Sequence, residues 1–295
     1  MDYRIERDSM GEVRVPADRY WGAQTQRSLE NFPIGAGIET MPREIIHAFG
    51  ILKQAAARAN RTLQPARMTA EKCAVLERAA AEVSSGALNA HFPLVVWQTG
   101  SGTQSNMNAN EVIARRANEL AGERLCHPND DVNMSQSSND TFPTALHIAA
   151  VLNVEDRLLP AAEELIGVFK KLERMHEGVV KSGRTHLQDA VPIAFSQEIS
   201  GWRASLERDC ELLRLSLGPL YELALGGTAV GTGLNAPAGF DTLAASEIAA
   251  LTGKPFVTAT NKFHALSSRD ELVFAHGAVK ARMDSERSRV DCRKL

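Results

Sequence analysis

The stretch "VLNVEDRLLPAAEELIGVFKKLERM" (residues 151–175) decides the fold class. Its apolar residues recur at steps of three and four, which is the pattern of a long helix with one buried face. The members of this apolar stripe are Val151, Val154, Leu158, Ala161, Leu165, Val168, Leu172 and Met175. Pro160 removes one backbone hydrogen bond, so we expect it to bend the helix without ending it, while the stripe keeps its phase.

A second apolar stripe predicts a helix that packs against the first. Its members are Phe195, Ile199, Trp202, Leu206, Cys210, Leu213, Leu217 and Leu220. Two long helices joined by a polar elbow at residues 178–192 form one antiparallel hairpin of a helical bundle. Further helices are predicted at residues 42–60, 69–88, 106–120 and 263–280.

The sequence therefore predicts a mainly α protein. Its predicted parts are an N-terminal helical domain (1–135), an incomplete long-helix bundle (136–281) and a divergent, charged tail (282–295).

Composition excludes several classes of protein. The 295 residues carry a net charge of −3, which offers no basic surface for nucleic acid or an anionic membrane. No apolar run approaches the roughly 20 residues that span a bilayer. The N-terminal residues lack an apolar signal core and carry acidic side chains that a mitochondrial presequence avoids. We expect a cytoplasmic protein without nucleic-acid or membrane partners.

The cysteines and histidines give no sign of a metal site. The four cysteines are far apart, with no C-x-x-C pair, and no two histidines stand four residues apart as on a zinc-binding helix. We therefore expect any chemistry to proceed without a metal or another cofactor.

Four polar elbows interrupt the helical pattern. They read "TGSGTQSNMN" (residues 99–108), "HPNDDVNMSQSSND" (127–140), "SGRTHLQDA" (182–190) and "GGTAVGTGLN" (226–235). The first lacks the lysine and the preceding strand of a phosphate-binding loop. All four supply neutral donors, namely hydroxyl, amide and backbone N–H groups, which suit a carboxylate. Taken singly, each could instead be a set of helix caps and turns.

The third elbow contains His186, flanked by Thr185 and Leu187. The residues alone leave three interpretations open: a histidine of the core, a metal ligand and a catalytic group. An imidazole with a reference pKa of about 6.5 is able to transfer protons near neutral pH.

Together these segments resemble the class II fumarases of the fumarase/aspartase superfamily. The resemblance rests on "RVPADRYWGAQTQRS", "GSGTQSNMN", "HPNDDVNMSQSSND", "GRTHLQDA" and "ALGGTAVGTGLN", and it continues to about Lys280. Aspartate ammonia-lyases of the same superfamily tend to carry Ser and Gln where this chain has Gln104 and His186. The resemblance therefore favours a fumarate hydratase.

The resemblance implies reversible anti addition of water to fumarate, giving (S)-malate, in a homotetramer whose sites draw residues from three subunits. Carried over position by position, the substrate-binding residues are Ser101, Gly102, Thr103, Ser137, Ser138, Asn139 and Thr185, the catalytic residue is His186, and a second anion site consists of Arg124, His127, Asn129 and Asp130.

This reaction explains the choice of residue types. Loss of a C3 proton from malate leaves extra negative charge on a carboxylate. General acid–base transfer contributes only about 10²–10⁴-fold, so fixed donors must also hold the developing charge. Hydroxyl and amide groups do this without competing for protons, and His186 handles the proton of water or of the malate hydroxyl.

The chain departs from the family pattern at its C-terminal end. The family loop "GSSxMPxKxN" carries the serine thought to remove the C3 proton, together with a substrate-binding Lys and Asn. Where the family continues towards this loop, the chain instead reads "ARMDSERSRVDCRKL". This change is typical of a frameshift, an alternative end or a truncation. We expect the chain as given to be inactive by itself. The alternatives are a non-catalytic fragment or binding module, and a lyase of the aspartate ammonia-lyase type.

Overall fold

The computed structural model describes the backbone of residues 2–292 and the side chains of residues 2–281. The chain forms two compact units. The first holds the residues up to Ala149 together with Tyr221–Arg269, and the second holds Ala150–Leu220 and the residues from Asp270 onward.

The described residues are mainly helical, as predicted. The helices are α1 (Ala23–Asn31), α2 (Arg43–Leu63), α3 (Ala70–Ser84), α4 (Thr103–Ala121), α5 (Ser138–Asn153), α6 (Leu159–Met175), α7 (Phe195–Leu217), α8 (Phe240–Thr252), α9 (Lys262–Ser267) and α10 (Asp270–Cys292). The strands are β1 (Tyr3–Asp8), β2 (Gly11–Pro16), β3 (Val180–Thr185), β4 (Gln188–Ala194), β5 (Glu222–Leu223) and β6 (Val257–Thr258). They pair as three two-stranded sheets: β1 with β2 and β3 with β4 antiparallel, and β5 with β6 parallel.

Helix α2 is the centre of the first unit, where it packs on α3 and α8. Phe49 and Leu52 of α2 and Leu76 of α3 are buried at this core. The two helices approach most closely at Gly50, where an added Cβ would lie 2.4 Å from the backbone nitrogen of Ser84. Only a residue without a side chain permits this packing distance.

Helices α2, α3 and α4 confirm the three shorter helices that the sequence predicts. Helix α4 begins earlier than expected, because Gly102 adopts the left-handed conformation (φ 74°) that starts it. Gly122, with φ 77°, ends it in the same way.

The second unit contains the predicted antiparallel hairpin, in which α6 packs on α7 and α7 packs on α10. The stripe predicted for α7 is confirmed. Its buried members are Ile199, Leu206, Cys210, Leu213, Leu217 and Leu220.

The stripe predicted for residues 151–175 is wrong in its second half. Val151 and Val154 are buried as expected, but the buried positions that follow are Leu159, Ala162 and Ile166. A π-helical turn at Val154–Leu158 inserts one residue into the helix just before Pro160, so the buried face moves by one position. The chain stays helical through Pro160, as predicted, but the phase does not persist.

Two further expectations change. The elbow between the long helices is a β-hairpin, β3–β4, whose ladder satisfies the backbone groups of a segment that the sequence shows only as polar. The helix predicted at 263–280 is broken at Ser268 and Arg269 into α9 and α10.

The domain division predicted above, 1–135 and 136–281, stays a prediction. Helix α10 continues the backbone to Cys292. The side chains of the charged tail, residues 282–295, lie outside the described residues. In the part of the chain that the structure describes, every helix is too short or too polar to cross a lipid bilayer.

Candidate active site

The first elbow leads into the start of α4. Ser101 Oγ lies 3.0 Å from Thr99 Oγ1 and 3.1 Å from Thr103 Oγ1, and Thr99 Oγ1 donates to Gln104 Oε1 at 2.6 Å. These side chains are exposed or half-buried. They therefore form a connected row of hydroxyl groups at a helix N-terminus, where unpaired backbone N–H groups favour an anion.

Gly102 in this elbow packs against α5. An added Cβ would lie 2.2 Å from Cγ of Phe142, and the residue has φ 74°. Both the left-handed backbone and the contact exclude a larger residue.

The second elbow ends in a turn of residues 137–139 at the start of α5. The backbone N–H of Asn139 donates to Ser137 Oγ at 3.3 Å, and the backbone N–H of Ser137 donates to Asp140 Oδ1 at 2.9 Å. Asn106 Nδ2 of α4 donates to Ser138 Oγ at 3.0 Å, which joins the first elbow to the second. We call residues 137–139 the carboxylate turn, because hydroxyl and amide groups are donors that suit a carboxylate.

Asp140 joins the carboxylate turn to the fourth elbow. Its Oδ2 accepts the backbone N–H groups of Gly226 at 3.0 Å and Thr228 at 2.8 Å. Asn139 Nδ2 donates to the carbonyl oxygen of Ala229 at 2.7 Å. The structure thus brings together three of the four predicted elbows, all within the first unit.

A buried lysine lies behind these elbows. Lys53 of α2 donates to Asn106 Oδ1 at 2.8 Å, to Asn133 Oδ1 at 3.2 Å and to Gln136 Oε1 at 2.9 Å. Asn106 belongs to the first elbow, whereas Asn133 and Gln136 belong to the second. A single ammonium group therefore connects the two elbows from the inside of the fold.

Burial dominates the electrostatics of this network. Desolvation lowers the pKa of Lys53 to about 7, opposed by the charge of Asp140. Desolvation likewise raises the pKa of Asp140 to about 6, and the three backbone N–H bonds to its carboxylate oppose that shift. Opposite charges buried in the same network each disfavour neutralisation of the other.

Sequence reasoning missed Lys53, Asp140 and Asn106. Asp140 closes the motif "SSND", where only the three residues before it were singled out. Lys53 stands alone within "FGILKQAAA", on the face of α2 that also carries Phe49. A lone charge on an otherwise apolar helix face is the signal that points to it.

The third elbow lies in the second unit. Thr185 and Gln188 close the β3–β4 ladder, and His186 and Leu187 form the two-residue turn between them. His186 has φ 50° and Leu187 has φ 63°, both left-handed, and both side chains are exposed. The hairpin presents the imidazole to solvent at its tip.

The predicted second anion site falls on the wall of an open groove of about 1450 Å³ in the first unit, which Arg124, His127 and Asn129 line. His127 begins a π-helical turn, and its Nδ1 lies 3.2 Å from a carboxylate oxygen of Asp130 and accepts the backbone N–H of that residue at 3.3 Å. Asp130 therefore contacts the imidazole of His127.

The family model that matches this chain is described as a lyase and covers residues 11–285. A class II fumarate hydratase of Bacillus cereus is 56% identical over 285 residues, which are 95% of this chain and 61% of the relative. A class II fumarate hydratase of Thermus aquaticus is 56% identical over 284 residues, 95% of this chain and 60% of the relative. The chain thus spans about three fifths of the length of these relatives.

A solved structure shows the same architecture. The crystal structure of the recombinant class II fumarase of Schistosoma mansoni is 39% identical, with a TM-score of 0.92 over 96% of this chain and 63% of that one. The match confirms the fumarase/aspartase-like fold expected from the motifs. Because the family model matches residues 11–285 of the 295, the chain belongs to the lyase family.

Proposed function

We propose that this chain, joined to the C-terminal segment that its relatives carry, acts as a class II fumarate hydratase, which adds water reversibly to fumarate to give (S)-malate. The observation that carries the proposal is the carboxylate turn. Neutral donors from Ser137, Ser138 and Asn139 stand at the start of α5, and a buried network fixes them through Asp140 and Asn106. The identity to class II fumarate hydratases supports the choice of substrate.

The carboxylate turn would bind one carboxylate of the substrate. Loss of the C3 proton from malate places a second negative charge on that carboxylate, and fixed N–H and O–H donors stabilise this charge most in the intermediate. Ser101, Gly102 and Thr103 would contact the substrate from the start of α4, whose N-terminal N–H groups favour an anion.

His186 would act as the acid–base group on the oxygen side, taking the proton of water or of the malate C2 hydroxyl, with Thr185 binding substrate beside it. Gln104 and His186 together favour water over ammonia as the added group. The proposal includes the homotetramer that the resemblance implies, a cytoplasmic location, and a second anion site at Arg124, His127 and Asn129 with Asp130 beside it.

The reaction is tested on this chain joined to the remaining C-terminal sequence of the Bacillus cereus relative. Fumarate loss and malate formation are measured against aspartate deamination in the same preparation. We expect fumarate and malate to interconvert without release of ammonia. Deamination of aspartate in place of hydration would overturn the proposal.

A pair of serine variants tests the carboxylate turn within that enzyme. Ser138→Ala should lower kcat/KM for fumarate by about 10²-fold, because it removes a donor to the developing charge. Ser205→Ala removes an exposed hydroxyl on α7 that bonds only its own helix, and it should leave kcat/KM unchanged. Equal behaviour of the two variants would place the substrate carboxylate elsewhere.

A further inference from the structure

Lys53 is a charged side chain in an apolar setting. It lies in the middle of α2, is 2% exposed, and shares its helix face with buried Phe49 and Ala56. Moving an ammonium group out of water costs several kcal/mol even after the protein relaxes around it. A methionine would fill the same space without that cost, so the charge calls for a role beyond packing.

The contacts of Lys53 match an ammonium group. A charged lysine has three N–H donors, and three side-chain carbonyl oxygens, from Asn106, Asn133 and Gln136, accept them. All three acceptors are neutral amides. Among the side chains that the structure describes, Lys53 forms no ion pair, and Asp140 acts on it through its field alone.

The three acceptors are parts of the site. Asn106 uses its amide nitrogen to donate to Ser138 Oγ, while its oxygen binds Lys53. Gln136 directly precedes the carboxylate turn, and Asn133 donates to the carbonyl oxygen of Gln136 at 3.3 Å. Each acceptor thus binds Lys53. Each also either bonds the carboxylate turn or belongs to the segment that leads into it.

We propose that Lys53 is a positioning residue that fixes the carboxylate turn by binding Asn106, Asn133 and Gln136 together. The ligand that the turn receives is a small dicarboxylate, so the inference rests on the proposed function. Only neutral amides bind the ammonium group directly, so its charge, offset in part by the field of Asp140, also adds to the attraction for a bound carboxylate. In water this attraction would be weak, but a buried charge is screened far less.

Lys53→Met keeps the length of the side chain and removes both the bonds and the charge. In the full chain without ligand, backbone amide hydrogen exchange at residues 137–139 should rise at least tenfold. Lys72→Met is the matched control, because half-buried Lys72 contacts the same elbow through Asp131 at 2.7 Å, six residues before the turn. We expect it to leave that exchange unchanged. Exchange in Lys53→Met equal to that of the unaltered chain would overturn the positioning role.

Asn133→Asp tests the effect of the Lys53 charge separately from its effect on the geometry of the carboxylate turn. The carboxylate keeps an oxygen in place for Lys53, Asn106 and Asn110 and neutralises the ammonium group, and the 3.3 Å bond to the carbonyl oxygen of Gln136 is replaced by a contact between two oxygens. Amide exchange in the turn should stay near that of the unaltered chain, while affinity for fumarate and succinate, measured by calorimetry, should fall at least tenfold. Unchanged binding would overturn the charge effect.

Failure of the proposed function gives a different result. If the chain joined to the C-terminal sequence of the Bacillus cereus relative binds neither fumarate nor succinate, the dicarboxylate ligand and the charge effect are both overturned. The exchange comparison between Lys53→Met and Lys72→Met still decides whether Lys53 positions the turn.

Discussion

The carboxylate turn and the tip of the β3–β4 hairpin hold their functional groups by different means. The turn of residues 137–139 is bound by groups from α4, from the fourth elbow and, through three amides, from Lys53 of α2. The hairpin tip is held by the ladder of its own two strands, and an ion pair between Lys181 and Glu198 ties its base to α7.

The carboxylate turn holds its donors in place before any ligand binds, whereas the hairpin tip exposes its imidazole to solvent. Donors that must meet a developing charge gain from a rigid buried network, since rigid donors need no rearrangement during the reaction. The imidazole proposed to transfer protons gains from an exposed position where water reaches it. We therefore expect substitutions at the turn to alter stability strongly, and substitutions at the hairpin tip to leave stability nearly intact.

The largest effect should come from Asp140→Ala. The change leaves three backbone N–H groups, those of Ser137, Gly226 and Thr228, without their acceptor, and leaves Lys53 without its nearby opposite charge. Breaking such a buried network costs about 3–5 kcal/mol. Urea unfolding followed by circular dichroism measures the loss of unfolding free energy.

The control for this variant is Asp189→Ala, which removes an exposed carboxylate of the hairpin, 3.5 Å from Arg184. Its unfolding free energy should match that of the unaltered chain. Equal losses for the two variants would remove the distinction between the regions.

The same carboxyl group should make stability depend on pH. The pKa of Asp140 is raised to about 6 in the folded chain, against 3.8 when unfolded, so the folded state binds this proton more tightly. Its contribution is fully present below about pH 4 and is lost as pH rises through about 6, a total of about 3 kcal/mol.

Unfolding free energies of the unaltered chain and of Asp140→Asn, measured from pH 4 to pH 7, test this dependence. The advantage of the unaltered chain should fall with rising pH, and Asp189→Asn should show no such trend relative to it. An advantage that grows with pH would mean that the backbone N–H bonds outweigh burial.

The close approach of α4 and α5 gives an intermediate effect. Gly102→Ala requires a left-handed alanine and a clash with Phe142, whereas Gly122→Ala requires only the left-handed alanine, with open space around it. The shared backbone strain is about 1 kcal/mol. We expect Gly102→Ala to cost about 2 kcal/mol more, as is typical of overpacking. Thermal unfolding of both variants measures the difference, and equal melting temperatures would contradict it.

The smallest effect on stability should come from His186→Asn. Asparagine tolerates the φ of 50° at this position, and the side chain is exposed, so the unfolding free energy should change by no more than about 0.5 kcal/mol. His186→Val is the matched contrast, because a β-branched residue in the left-handed region costs roughly 1–2 kcal/mol. A large loss in His186→Asn would show that the imidazole is part of the structure of the tip.

The predicted stripes show how far a sequence pattern reaches. The stripe of α7 is correct because that helix has a constant period, so spacing alone gives its buried face. The stripe of residues 151–175 is wrong beyond Val154, because one π-helical turn shifts the face by a residue. Pro160 indicates from the sequence that the helix is disturbed there, but it does not indicate by how much the buried face shifts. Ser268 and Arg269 likewise break a helix whose apolar pattern continues across them.

The candidate site divides in the same way. Motifs single out the residues of the carboxylate turn and His186, because their types and order are visible along the chain. Asn106, Asp140 and Lys53 escaped, because their importance lies in what they contact across 32 to 86 positions of sequence: Asn106 bonds Ser138, Asp140 bonds Gly226, and Lys53 bonds Gln136.

By itself, the sequence determined that the protein is mainly helical and which polar elbows supply donors, since local periodicity and residue chemistry need no knowledge of the fold. Only the tertiary structure decided that the first, second and fourth elbows converge, that the third is a strand hairpin, and that a buried lysine and a buried aspartate hold the turn. These features depend on burial and on contacts between distant segments, and the same side chains in water would have ordinary pKa values and no fixed partners.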